Sequence, residues 1–572
     1  MIKSGSFTAK NFGKGLDNTS GVENLSMESL STALNVRFRK EGGVYTRLGY
    51  ERRATLGTGL PVQGMGVHEG YGVLFCKSGT KIYQSIDGDT WYDIGATRTT
   101  GEKDFFYAFG KDMFVVNQTD GLLRISLSTL ASSITPSSTS VGVKTGDGGG
   151  FTNGVAVIYI EGDSINYTAV STNTLTTVTN IAANHAAGAI ITQFTVLSSA
   201  PKGKCMSDLE GSLFIGGTSA FPSILYYSAP STEARPEYAY DFSSNGAGSK
   251  RMSSDVNALH KAMGIVIIGM KKGIDYAYSF SADTNGLLTR TVSHVHSVPS
   301  SHCIGDMGDQ FVIFTGKRIL TVLSDGNGVR IPMNPSSTMD FDFPISNTLT
   351  ETDDDQSLSF VHYNPTINQL SVTYFKDFLS NELVLNKDIG AWSIDEGKVY
   401  SCKVLFNGKT YGGSENLDYI FLDDSTQTDD GSTITHRIVS GVYVMDDRRI
   451  TMDFLKHTHG ALLSATGAYT LTFYVNGSSL LPQEITADLL QDAGLMNVDS
   501  GIPMGSGTVG AETLGGGAYT TEIYSYTYPL EFLLVGERFQ WEIEIEDEGT
   551  AFELRDSRVD FETFSSLDSN SF

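Results

Sequence analysis

Positive charge is what this sequence has too little of. Its 40 lysines and arginines face 65 aspartates and glutamates, for a formal net charge of −25. A sheath that grips DNA phosphates needs a basic face, so this balance argues against one. It suits a soluble surface, or one past which a polyanion slides without sticking. Cysteine is also scarce: Cys76, Cys205, Cys303 and Cys402 lie far apart and form no CxxC pair. They read as reduced thiols buried in strands, in a protein made in a cytosol. No apolar run approaches the ~18 residues of a membrane span, and the opening MIKSGSFTAK lacks the apolar core of a signal peptide. Long amphipathic runs are few, which argues against helical architecture.

What is abundant is the material of strands and turns. The chain has 62 glycines against 14 prolines, with 26 tyrosines and 31 phenylalanines. That composition points to an all-β protein with many turns. At 572 residues, 40% of them hydrophobic, the chain exceeds one core and calls for two to four domains.

A repeated shape organises the middle. GMGVHEGYGVLFCKSGTKIYQS (64–85) reads as strand, turn, apolar run, turn, strand. Similar stretches begin at residues 105, 205, 257, 303 and 360, and CKVLFNGKTYGG (402–413) opens a seventh. Cys205 and Cys303 occupy the same point of their copies, as do Asp208 and Asp306. Short-stranded units recurring every 40–50 residues are the signature of a β-propeller, because one such sheet cannot bury both faces alone. The competing reading is a set of ordinary hairpins in a sandwich.

One turn has its own chemistry. Ser85-x-Asp87-Gly88-x-Thr90-Trp91 resembles an Asp-box hairpin, one residue short of the S-x-D-x-G-x-T-W spacing. In such a turn Asp accepts backbone N–H groups, Gly takes a backbone angle other residues resist, and Trp packs into the blade. Its role is structural. Sialidases carry several such boxes, but this chain has one degenerate copy and no assignable arginine triad.

The flanks differ. Residues 151–195 are short strands with Thr-rich turns, long enough for a small β domain between two blades. Their pattern INYTAV…TLTTVTNI…HAAGA looks like a module of tailed-phage tail and fibre proteins, with His185 capping or packing a turn. Toward the C-terminus, RFQWEIEIEDE alternates, with Phe539, Trp541, Ile543 and Ile545 facing in and Glu542, Glu544 and Glu546 facing out. The expected fold is an all-β β-propeller of six or seven blades with an inserted small β domain and a C-terminal β-sandwich-like module. The expected division is an N-terminal arm (1–55), first blades (56–135), the insert (136–200), remaining blades (201–433) and the C-terminal module (434–572), whose Gly-rich loop spans 500–521.

The first fifty residues add a family resemblance. Asn11-Phe12, Gly15-Leu16, Leu34-Asn35-Val36, Gly42-Gly43 and Arg47-Leu48-Gly49-Tyr50 follow the opening pattern of many tailed-phage virion proteins, with Leu48 where Pro is common. Followed by propeller blades, this resembles the tail nozzle (tail hub, or stabilization) protein of short-tailed bacteriophages. The match is specific at the N-terminus, looser over the blades and architectural at the C-terminus. The resemblance implies a non-enzymatic virion protein, made in the bacterial host cytoplasm and forming a homo-oligomeric ring, a hexamer. That ring sits below the portal and adaptor, meets tail fibre or needle proteins, and passes genomic DNA without specific binding. Under it the N-terminal arm, through Phe12, Arg37, Arg39, Lys40 and Arg47, docks on a neighbour or the adaptor. The plainer reading of that arm is an edge strand completing a blade.

The alternative function is a receptor-binding or carbohydrate-active propeller, with tyrosines such as Tyr238, Tyr240, Tyr519, Tyr524, Tyr526 and Tyr528 stacking on sugars. Other chemistry is weakly signalled. His294, His296, His302 and Cys303 lack the tight Cys pairs of structural zinc. His457 and His459 have no third ligand nearby. The acidic turns at Asp353–Asp355 and at Asp423, Asp424, Asp429 and Asp430 miss the EF-hand order. No cofactor, metal or catalytic residue is expected.

Overall fold

The computed structural model describes residues 3–9, 12–17, 25–40, 42–230, 240–244, 246–262, 264–280, 286–308, 310–316, 319–324, 329–330, 355–376, 379–444, 450–461, 468–476, 478–479, 483–486, 524–536, 538–546 and 553–563. Their regular secondary structure is nearly all strand, apart from the short 3-10 helices Gly148–Gly150 and Asp355–Leu358. The chain forms two units: residues 51–381 with 398–423, and residues 1–50 with 382–397 and 424–572.

The larger unit is a β-propeller. Blade 1 is the antiparallel sheet Val62–His68, Val73–Ser78, Lys81–Ser85 and Tyr92–Thr97. Blade 2 starts with Phe105–Phe109, Asp112–Val116 and Leu122–Thr129 and takes Ile190–Leu197 as its fourth strand. Blades 3 and 4 begin with Cys205–Leu209 and Val256–Ala262 and also have four strands. Blade 5 begins with Ile304–Asp306, blade 6 with Phe360–Asn364, and blade 7 with Tyr400–Phe406. The seven first strands neighbour one another in a closed circuit, with blade 7 returning to blade 1. The blade count is therefore seven. The repeats recognised at 360 and 402 are the opening hairpins of blades 6 and 7.

Each blade buries both faces against its neighbours. Val73, Phe75, Ile82 and Ile94 of blade 1 share a core with Met113, Val115, Leu123 and Ile125 of blade 2. Leu74, Cys76 and Tyr83 of the same blade share another with Phe406, Tyr411 and Ile420 of blade 7. The alternating apolar strands thus serve two interfaces at once. Burial at ~25 cal/mol per Å² of apolar surface is what drives the stacking. All four cysteines are buried and reduced, and burial holds the Cys205 and Cys303 thiols at about 12.

Antiparallel order gives the propeller two distinct faces. The turns joining first to second and third to fourth strands lie on one, the turn face. The second-to-third turns and the connections between blades lie on the other, the link face.

Three expected boundaries move. The insert does not lie between two blades. It sits inside blade 2, between the third and fourth strands, and its hairpin Ala156–Ile160/Asp163–Tyr167 extends that sheet from Ile190–Leu197. A second small sheet, Ser140–Gly142, Ala169–Ser171 and Thr174–Thr176, closes over its own core of Ile158, Ile165, Tyr167 and Leu175. The propeller's last blade is not completed from downstream sequence: its fourth strand is Gly49–Thr55. Finally, residues 1–50 are not a separate arm, because they belong to the unit that carries the C-terminal strands.

That second unit contains two groups of paired strands. One pairs Val36–Phe38, Val44–Thr46, Glu553–Thr563, Ile450–Ala461 and Tyr524–Gly536 in order, with Lys3–Ala9 also on Glu553–Thr563. The other runs Ala391–Asp395, Gly15–Leu16, Ser29–Leu34, His436–Ser440, Arg538–Ile545 and Ala468–Val475. Phe539, Trp541, Ile543 and Ile545 are buried, and Phe12 meets the Trp541 ring edge-on at 6.2 Å. Glu542 departs from the expected outward face. It is buried, held by the guanidinium of Arg437 and the Tyr474 hydroxyl at 2.5 Å. Burial pushes its carboxyl up, but those two donors outweigh it and hold it below the usual range. The Gly-rich loop at 500–521 lies outside the described residues.

Candidate functional site

Three places gather the residues singled out by sequence: the hairpin of blade 1, the joint made by the N-terminal segment, and the propeller axis.

In the hairpin, Asp87 Oδ1 accepts the backbone N–H of Thr90 at 2.7 Å and of Asp89 at 2.9 Å, and the Ser85 hydroxyl at 3.0 Å. Burial alone would raise the Asp87 carboxyl, but these donors hold it below the usual carboxylate range. Ser85 Oγ accepts the Gly88 N–H at 2.9 Å, and Trp91 Nε1–H donates to the Gly88 carbonyl at 3.1 Å. Gly88 has φ +83°, where a side chain is strained, and a Cβ there would fall inside the Tyr411 ring. Tyr411, from blade 7, donates its hydroxyl to the Asp87 carbonyl at 3.2 Å. Trp91 packs on the core shared by blades 1 and 7. Asp89 pairs at 3.0 Å with Arg53, on the strand that completes blade 7. This turn therefore joins the first blade to the last, where the ring of sheets closes. That is why a chain with three tryptophans places one there.

The N-terminal joint is built inside the second unit. Asn35 sits at φ +54°, a region Asn tolerates better than most residues. Its Oδ1 accepts Arg47 Nε at 2.9 Å and the Glu396 N–H at 2.9 Å, and its Nδ2 donates to the Thr435 carbonyl at 2.8 Å. Arg47 is fully buried and grips Asp429 through both Nη atoms, at 2.9 and 2.6 Å. Its remaining two protons go to the Leu48 and Glu396 carbonyls at 3.1 and 3.0 Å. All five guanidinium donors are thus used. Arg37 pairs bidentately with buried Asp395, at 2.6 Å for both bonds. Gly49 lies so close to the Thr428 carbonyl that a Cβ would overlap it, and the Tyr50 hydroxyl donates to the Gly397 carbonyl at 3.4 Å.

This corrects three of the expected docking contacts. Phe12, Arg37 and Arg47 are buried and paired within their own unit, so none is free for a neighbour or adaptor. The basic middle of the segment is spent on carboxylates 358 and 382 residues away in sequence, a pairing that no local pattern reveals. Arg39 and Lys40 alone remain exposed, with Arg39 over the Tyr45 ring at 5.1 Å.

At the axis, blade 2 reaches across the circuit. The Phe105 ring tilts against the His302 imidazole of blade 5 at 4.8 Å. Lys103 Nζ donates to the Leu358 carbonyl, just before blade 6, at 3.3 Å. Burial among these blades pushes the Lys103 ammonium below the usual lysine range and the His302 imidazole down to about 3. The propeller's own axis is thereby crossed by side chains at the link face.

Other singled-out residues are also placed. His185 is buried, with Nδ1 2.8 Å from Glu161 and Nε2 2.9 Å from Asp163, and its backbone bridges Ile134. Asp423 and Asp429 are not solvated acidic turns. Asp423 is held by Lys398 and Lys403, each at 2.8 Å, and by the Tyr400 hydroxyl at 3.0 Å; Asp429 is held by Arg47. Burial works against the Asp423 carboxylate, yet the two lysines keep it far below its usual range. Among the described residues, no group of three His, Cys, Asp or Glu is placed to hold a metal ion. Asp353 and Asp354 lie outside the described residues, as do the side chains of His457 and His459. Tyr240 lies under the Arg124 guanidinium at 4.7 Å. Tyr238 and Tyr519 lie outside the described residues, as do the side chains of Tyr524, Tyr526 and Tyr528. Among the described residues, no helix is long and apolar enough to cross a membrane.

No family model matches the chain, and no curated protein matches it. Among solved structures, Hsv2 of Kluyveromyces lactis is 11% identical with a TM-score of 0.26, over 59% of this chain and 98% of that one. The extracellular domain of a hybrid two-component system from B. thetaiotaomicron is 9% identical with a TM-score of 0.33, over 78% of this chain and 49% of that one. The propeller assignment rests on this chain's own closed circuit of seven first strands.

Proposed function

We propose that this chain is a structural virion protein of a short-tailed phage, a nozzle subunit that forms a ring below the portal and adaptor and continues the DNA channel. The observation that carries the reading is the N-terminal joint. The residues that make the family resemblance do not scatter: Asn35, Arg47, Gly49 and Tyr50 converge on one buried polar cluster. A chance match of short strings has no reason to converge, whereas a fold-specifying motif does. The ring is what the resemblance implies, and the propeller axis and the charge accord with it. The propeller axis is crossed by Lys103 and Phe105, so a duplex needs a passage between copies rather than through one. A heterologous contact repeated around an axis provides that passage. The net charge of −25 would repel phosphates from the lumen, retaining the genome without gripping it and easing ejection.

Partners in this reading are further copies of the chain, the adaptor or portal-side proteins, and tail fibre or needle proteins. The site is the virion tail, after synthesis in the host cytoplasm. The test is negative-stain microscopy of the full chain, alone and with virion components of its source. Sixfold rings, or density below a portal, support the reading. A monomer or trimer that never joins a tail overturns it. In that event the carbohydrate-active or receptor-binding alternative is tested by turnover of polysaccharide.

A further inference from the structure

We infer that the two faces of the propeller are opposite halves of a self-association contact, the link face of one copy docking on the turn face of the next. The inference deepens the ring reading above and rests on it only for closure.

The first observation is charge. Among the described link-face loop residues the exposed cations are Lys202, whose Nζ donates to the Thr119 carbonyl at 2.7 Å, Lys271 and Lys272, against one exposed carboxylate, Glu396 between blades 6 and 7. The other described carboxylates of that face are less exposed. Asp104 is buried against Arg98, and Asp418 is buried, accepting the N–H of Thr58 and Gly59. Glu102, Asp120, Asp255 and Glu415 are half-buried. The turn face is the reverse. Glu69, Asp87, Asp89 and Glu210 are exposed there; of its exposed lysines, Lys111 is held by Asp147 at 2.6 Å and Lys144 lies over the Tyr71 ring at 5.8 Å. In a chain of net charge −25, a face with three exposed lysines against one exposed carboxylate, opposite one with four exposed carboxylates, departs from the average.

The second observation is apolar exposure. Phe221 and Val295, 58% and 79% exposed, project from link-face loops together with Leu60 and Leu417. Ile86 and Ile367 project from the turn face. Large apolar side chains standing out of short loops fit a protein surface better than a polyanion, for which the cations alone would serve. The occupant with matching charge and apolar tips is the turn face of a second copy. Opposite faces make a heterologous contact, which closes into a ring when the two faces are inclined and runs on into a stack when they are parallel.

The test uses sedimentation velocity of the full chain at micromolar concentration and low salt. Two variants are compared with the parent: K271E/K272E on the link face and E69K/E210K on the turn face. All four side chains are exposed, and circular dichroism checks that each variant folds. Each variant alone is expected to associate at least tenfold more weakly. An equimolar mixture of the two should regain association, because the reversed faces now match each other. A strictly monomeric parent overturns the inference, as does association indifferent to both variants or unrescued by mixing. A parent that stays monomeric but loses DNA retention in K271E/K272E would make the link face a nucleic-acid surface instead. Rings that persist in both variants sink this contact and leave the nozzle reading standing. Face-to-face stacks that never join a tail do the opposite.

Discussion

The buried pair Arg47–Asp429 offers a quantitative test of the N-terminal joint. Arg47 has no exposed side-chain surface and uses all five donors, two of them on Asp429. Replacing Asp429 by Ala leaves a buried guanidinium short of its counter-charge. Breaking one half of a buried ion pair costs about 3–5 kcal/mol. Asp395 lies 3.8 Å from Arg47 Nε and supplies part of the missing charge, so the lower end, about 3 kcal/mol, is expected. Arg47→Met strands Asp429 instead and should cost about the same. The double variant Arg47→Met/Asp429→Leu removes both charges and should cost no more than either single change, so the two effects fail to add by about 2–3 kcal/mol. Arg39→Met, at an exposed neighbour, should stay within about 0.5 kcal/mol of the parent. The assay is urea unfolding followed by tryptophan fluorescence, since Trp392 and Trp541 lie in this unit and Trp91 in the propeller. Single variants costing under about 1 kcal/mol, or a strictly additive double, would refute the claim that the motif specifies the fold through this cluster.

Other outcomes follow from the propeller. Gly88→Ala should destabilise by about 2–3 kcal/mol, combining a strained φ with overlap on Tyr411, whereas Gly57→Ala should cost about 1 kcal/mol because its φ is similar and its surroundings open; equal melting shifts for the two would remove the role of the Tyr411 contact. The His302 and His362 imidazoles are held down to about 3 by burial, while an unfolded histidine titrates near 6.5. The unfolded chain therefore binds more protons between those values, and stability falls as pH drops below 6.5, by about 2 kcal/mol per histidine at pH 5. Thermal melts from pH 7 to 5 should show this loss, and His302→Gln should shallow the slope; an unchanged slope would mean that His302 is not held neutral. Gly49→Ala should abolish soluble, folded protein, since the Thr428 carbonyl occupies the new atom's place; a normal yield would contradict the close approach.

How much of this was legible in advance varies by element. Strand alternation at Arg538–Ile545 showed which residues point inward, because side-chain direction in a strand is a local, period-two property. Glu542 escaped that rule because Arg437 and Tyr474 approach it from neighbouring strands. The hairpin at Ser85–Trp91 was readable because its bonds run between residues at most three apart. Its grip on Tyr411 of the last blade was not, because that contact spans 324 residues.

The sequence by itself determined the all-β class, the repeated hairpins, the turn chemistry and the excess of acid, since each depends on neighbours along the chain. Tertiary structure alone decided that the ring closes at seven blades, that Gly49–Thr55 completes the last of them, and that the insert belongs to blade 2. It also decided that Arg37 and Arg47 face inward to Asp395 and Asp429, rather than outward to a partner. The physical reason is common to all of these. A buried charge must find its counter-charge, and an edge strand its hydrogen-bond partner, wherever in the chain the fold brings one within reach.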